Sequence, residues 1–105
     1  MVRIMDSPIS AKAALLQVLV SAGGYGLDLI DRVKTRTEGQ VALGQGSVYP
    51  ALRTLEREGL VRSYEGVQMP ERGGRRRRYY KLTAAGRRVA IDHSQILATF
   101  FSEEV

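Results

Sequence analysis

At 105 residues the chain is sized for one domain, and the absence of cysteine excludes disulfides, thiolate metal sites and a cysteine nucleophile. Its net charge of +5 is unevenly placed: residues 1–59 carry 7 basic and 6 acidic side chains, residues 60–88 carry 9 and 2, and residues 89–105 carry three acids only. Such focusing suits a polyanion-binding surface, because bound phosphates release condensed counterions; charge alone leaves open a solvated basic face kept for solubility.

No secretory signal is read at the start, and no stretch approaches the roughly 20 apolar residues of a membrane span, so the expectation is a soluble, cytoplasmic protein. Residues 1–8 read as an N-terminal arm, with Ser7-Pro8 marking a helix start. Ile9 to Ser21 follows as a helix in which Leu15, Leu16, Val18, Leu19 and Val20 are apolar nearly all round, the mark of a buried central element. Ala22-Gly23-Gly24 breaks it. Tyr25-Gly26 opens a second helix, with Leu27, Ile30 and Val33 as the inner stripe, and Glu38-Gly39 ends it.

Val48, Ala51, Leu52 and Leu55 fall at i, i+3, i+4 and i+7 and predict a third helix over Ser47–Glu58. Ser47 is its expected N-cap, and Pro50 is tolerated in a first turn whose N–H groups lack partners anyway. The outer face then carries Ser47, Tyr49, Pro50, Arg53, Thr54 and Arg57. Hydroxyls donate to phosphate, arginine reads guanine edges or phosphate, and an apolar ring meets thymine methyls. The alternative for Tyr49 is a ring packed against the preceding helix.

Leu60–Gly66 and Arg78–Leu82 are predicted strands, the second turning Tyr80 and Leu82 inward, with Pro70 and Gly73-Gly74 supplying the turn. The run Arg75 to Arg78 at the hairpin tip cannot be core, since unpaired buried guanidinium groups are prohibitively costly. Arg75, Arg76 and Arg77 are candidates for a narrow minor groove, flanked by Arg72 and Lys81, while Arg78 begins the strand. Thr83 caps a last helix to about Ser102, with Val89, His93, Ile96, Leu97 and Phe100 as its stripe. Ile96, Leu97, Phe100 and Phe101 point to a dimer interface, with the helix also folding back on Leu15 to Val20. His93, alone, is a surface or interface residue rather than a ligand.

Gly44-x-Gly46-Ser47 lacks the third glycine and the lysine of a phosphate-binding loop. With no carboxylate pair, serine–histidine set or metal cluster, the sequence supports no enzymatic, metal or cofactor assignment.

These residues resemble the PadR family of bacterial winged-helix transcriptional regulators. The likeness rests on Tyr25-Gly26, on Gly46-Ser47-Val48-Tyr49-Pro50-Ala51-Leu52, on Leu55-Glu56-x-Glu58-Gly59-Leu60, and on Arg78-Tyr79-Tyr80-Lys81-Leu82-Thr83 with Gly86, spanning about residues 11 to 90. It implies a mainly α fold with a small β-hairpin: a winged helix-turn-helix over 9–83 and a C-terminal dimerisation helix over 84–105. It also implies a homodimeric repressor of transcription, released from DNA by a small-molecule effector; two-fold symmetry then predicts an inverted-repeat operator. The family's DNA-contacting positions fall on Ser47, Tyr49 and Pro50 and on the wing arginines, with Tyr25 in the DNA-binding set. The chain departs from members that stack flat ligands between tryptophans, having none. A nonspecific architectural DNA-binding protein and a winged-helix protein-interaction module stay open as alternatives.

Overall fold

The structure, a computed structural model, describes residues 9–66 and 77–102, and for residues 101 and 102 the backbone alone. The arm read over 1–8 and the turn at Pro70 and Gly73-Gly74 lie outside the described residues. Four helices and a small antiparallel sheet follow in the order α1 (Ala11–Leu19), β1 (Gly24–Tyr25), α2 (Gly26–Arg36), α3 (Gln45–Arg57), β2 (Val61–Glu65), β3 (Arg78–Leu82) and α4 (Ala84–Ser102). This is the winged helix-turn-helix with one added helix.

Helix α1 is shorter than the expected Ile9–Ser21, and its start is fixed by the Ser10 hydroxyl, which caps it by accepting from the Ala13 N–H at 3.1 Å. Its Leu15, Leu16, Val18 and Leu19 are buried and form the centre of the core with Leu29, Val33, Val48, Leu52 and Leu55. Each such side chain contributes about 1.5–3 kcal/mol of hydrophobic stabilisation.

The second helix starts one residue later than expected. Gly24 and Tyr25 form a short strand whose Cα partners on β3 are Tyr80 and Tyr79, so the sheet has three strands in the order β1-β3-β2 rather than two. Starting α2 at Gly26 puts Gly26, Leu29 and Val33 on the buried face. Leu27 is thereby turned outward and is 49% exposed, which corrects its place in the inner stripe. Arg32 fastens the preceding turn: its guanidinium donates to the carbonyls of Val18, Ala22 and Gly23 and pairs with Asp28 at 3.3 Å.

At the other end of the sheet, Thr83 joins α4 to the rest. Its Oγ1 accepts from the Gly86 N–H at 3.0 Å and donates to the Gly59 carbonyl at 2.6 Å. A side chain at Gly86 would collide with the Leu60 carbonyl, so only glycine permits this crossing. One turn on, Ala90 is fully buried and its carbonyl accepts from Gln17 Nε2 at 2.9 Å. Helix α4 therefore meets its own chain through the small residues Gly86 and Ala90, neither of which is in the predicted apolar stripe. No described helix is long and apolar enough to cross a membrane.

Candidate nucleic-acid interface

Helix α3 begins at Gln45, with Gly44 as the N-cap residue and the N–H groups of Ser47 and Val48 both donating to the Gly44 carbonyl at 3.0 Å. Ser47 is not the cap, as expected from its residue type, but an exposed residue in the first turn. Gly44 has no side chain to offer, and the helix gains a start two residues earlier through backbone bonds alone. Pro50 consequently stands in the second turn, where it cannot donate to the Gly46 carbonyl. Gly46 is exposed, so solvent can take that bond's place.

At about 100° per residue, Val48, Ala51, Leu52 and Leu55 define one side of α3, and Pro50, Arg53 and Arg57 lie directly opposite. All three are exposed, and Arg57 Nη2 donates to Thr54 Oγ1 at 3.3 Å. Tyr49 is at the flank, about 110° from the centre of the apolar side. Its ring packs over Gly26, where an added Cβ would come within 2.5 Å of it. Tyr49 is therefore half-buried against α2, which corrects the expectation of a freely projecting ring.

The wing is anchored by the register of β2 on β3: Val61 with Leu82, Ser63 with Tyr80, Tyr64 with Tyr79 and Glu65 with Arg78. The Gly66 N–H then donates to the Arg77 carbonyl at 2.7 Å. Arg72, Arg75 and Arg76 lie outside the described residues. Arg77 is half-buried, with its guanidinium carbon 4.3 Å from the centre of the Tyr25 ring. Tyr25 is itself half-buried and meets the edge of Tyr79 at 5.4 Å.

The inner face of the sheet carries Tyr80. Burial pushes its hydroxyl above the usual tyrosine range and nearby Glu56 adds to this, against the opposing fields of Arg78 and Arg53. The same two arginines thus act on one point between α3 and the sheet. Glu56 is held there by accepting from Ser63 Oγ at 2.6 Å. A cleft of about 150 Å³ lies between α3 and the wing base, walled by Tyr25, Gly26, Leu27, Tyr49, Arg77 and Arg78. Sequence reasoning missed Leu27 and Arg78 as its walls; strand register, had β1 been recognised, would have exposed the pairing of Tyr25 with Tyr79.

On α4, Val89, Ile96, Leu97 and Phe100 are exposed, Phe100 at 65% and Ile96 at 58%, while His93 is half-buried. The side chain of Phe101 lies outside the described residues. Among the described residues no cluster of side chains suits a metal ion.

The sequence pattern of the transcriptional regulator PadR-like family matches residues 15–91. The chain belongs to this family. It is thus a DNA-binding transcriptional regulator, and PadR regulators typically bind DNA as dimers. The fold is similar to that of a PadR family transcription regulator from hypervirulent Clostridium difficile R20291, at 27% identity and a TM-score of 0.74 over 88% of this chain and 91% of that one. It is also similar to Pex from Synechococcus, at 27% identity and 0.65 over 91% and 93% of the chains. A Streptococcus mutans UA159 protein gives 25% identity and 0.70 over 91% and 86%. No curated protein sequence matches the chain.

Proposed function

We propose that this PadR-like protein is a sequence-specific repressor that binds duplex DNA as a homodimer and is released by a small-molecule effector. The observation that carries the DNA-reading part is the cleft shared by Tyr49 of α3 and Arg77 and Arg78 of the wing, because it brings the two basic elements to one side of the domain. Helix α3 enters the major groove with Ser47, Pro50, Arg53 and Arg57 forward, while the wing runs to an adjacent groove or the backbone. Arg72, Arg75 and Arg76 supply charge to that wing. Tyr49 serves mainly as the packing that sets the angle of α3.

Two α4 helices pair through Val89, His93, Ile96, Leu97, Phe100 and Phe101, since large apolar side chains exposed in one stripe mark an interface. A two-fold dimer implies an inverted-repeat operator with half-sites about 10 bp apart or a multiple of that. The effector reading is supported by a cavity of about 220 Å³ between α1, α2 and α4, lined by Val33, Val41 and Leu97 with Gln17, Arg36 and His93. Such a lining suits an apolar molecule bearing one acceptor or anionic group.

Selection of genomic fragments retained by the protein tests the reading. Enrichment of one inverted repeat in promoter regions is the expected result. Uniform retention of all fragments indicates an architectural protein, and retention of none indicates a protein-interaction module.

A further inference from the structure

The outer face of the sheet carries a feature that DNA contact does not explain. Tyr25, Tyr79 and Tyr64 are directly opposite one another across β1, β3 and β2, so their rings form one row over all three strands. Tyr25 meets Tyr79 edge to face at 5.4 Å, and Tyr79 stacks on Tyr64 at 5.6 Å. Gly66 leaves room for the Tyr79 ring, which a side chain there would strike. A cation closes each end: Arg77 over Tyr25 at 4.3 Å and Lys81 over Tyr64 at 5.5 Å. Both distances are within the range in which a ring's negative face attracts a cation.

We infer that Arg77 is a positioning residue: stacked on Tyr25, it locks the base of the wing to the start of α2 and, through Gly26, to α3. The chain of contacts is continuous. Tyr25 is the residue just before α2, and the next residue, Gly26, lies beneath the ring of Tyr49 on α3. The wing and α3 must meet two sites on DNA at a set separation, and this row fixes that separation before binding. Arg77 thus parts company with exposed Arg78, being half-buried and already engaged face-on with a ring.

The inference rests on the reading that α3 and the wing engage DNA together, and its test separates the two. On the free protein, the δ-methylene protons of Arg77 should resonate upfield of ordinary arginine values through the Tyr25 ring current. They should return to those values in Tyr25→Leu and stay shifted in Tyr25→Phe. Ordinary values in the wild type would overturn the latch whatever the protein does with DNA.

Affinity for a random-sequence DNA duplex is then measured across a salt series. Arg77→Ala and Tyr25→Leu should each weaken binding about three- to tenfold, the double variant no further, and Tyr25→Phe should bind like the wild type. The slope of log affinity against log salt should be the same for all. A slope reduced by about 0.9 per lost phosphate contact in Arg77→Ala, with Tyr25→Leu binding normally, would make Arg77 a direct DNA contact and overturn the inference. A wild type that shows the ring-current shift yet retains no DNA would overturn the DNA reading instead, and the positioning role with it.

Discussion

Helices α3 and α4 carry apolar stripes of the same helical spacing, and the fold uses them in opposite ways. In α3, Val48, Leu52 and Leu55 are wholly buried, and the opposite side carries Pro50, Arg53 and Arg57 to solvent. In α4 the buried positions belong to Gly86 and Ala90, while Val89, Ile96, Leu97 and Phe100 remain exposed. The difference lies in when each stripe is covered. That of α3 faces α1 and α2 within one chain, so its burial stabilises the fold. That of α4 is left uncovered within the chain, and on the proposed reading a second molecule covers it.

The sharpest way to break this contrast is to truncate one side chain in each helix. Leu52→Ala should lower the unfolding free energy by about 2–5 kcal/mol, through lost transfer energy plus the cavity left behind. Urea unfolding reads this directly. A loss below 1 kcal/mol would mean that the site collapses and that α3 is not clamped as its burial implies.

In α4 the expected consequence is dissociation rather than unfolding. Ile96→Glu with Phe100→Glu removes two apolar contacts per subunit, each contributing about 1.5–3 kcal/mol when buried. Sedimentation at micromolar concentration should change from dimer to monomer, with the helical content of the domain retained. A wild type that sediments as a monomer would remove the contrast altogether.

Tyr49 stands between the two extremes, its ring resting on Gly26 and the residue half-buried. Tyr49→Ala should cost about 1–2 kcal/mol, roughly half the contribution of a fully buried large side chain, and weaken DNA binding through the angle of α3. A variant as stable as the wild type but defective on DNA would instead give the ring a direct contact.

The smallest effect concerns Tyr80, where the sheet meets α3. Because burial raises its pKa above the ordinary value of about 10, the folded state holds the proton more tightly than the unfolded chain does. Its contribution is complete below pH about 10 and is lost as pH rises through the raised folded value. Urea unfolding across alkaline pH should show stability falling above pH 10, with the fall reduced in Tyr80→Phe. An equal fall in both would assign the alkaline limb to other groups.

Much of the fold was legible residue by residue. The spacing of Val48, Ala51, Leu52 and Leu55, the inward turn of Tyr80, and the cap at Thr83 all follow from local rules that need no knowledge of neighbours. The misreadings cluster at element starts. Tyr25 looked like the first residue of a helix because nothing nearby signals that Tyr79, more than fifty positions later, pairs with it. That pairing moved the start of α2, exchanged Leu27 for Leu29 in the core, and set Gly26 beneath Tyr49. Ser47 was the natural cap by residue type, but backbone bonds to Gly44 started α3 earlier. Of the candidate site, the outward arginines of α3 were legible from periodicity, whereas the engagement of Arg77 with Tyr25 was not.

By itself the sequence determined which residues share a helix face and where charge accumulates, because these depend on residue type and spacing alone. It also carried the family, through motifs that lie along one stretch of chain. Only the tertiary structure decided which of two like stripes is buried, which tyrosine is a wall and which a surface, and which arginine is engaged by a ring. Those outcomes depend on strand register and on close approaches at Gly26 and Gly86, where atoms distant in sequence compete for the same space.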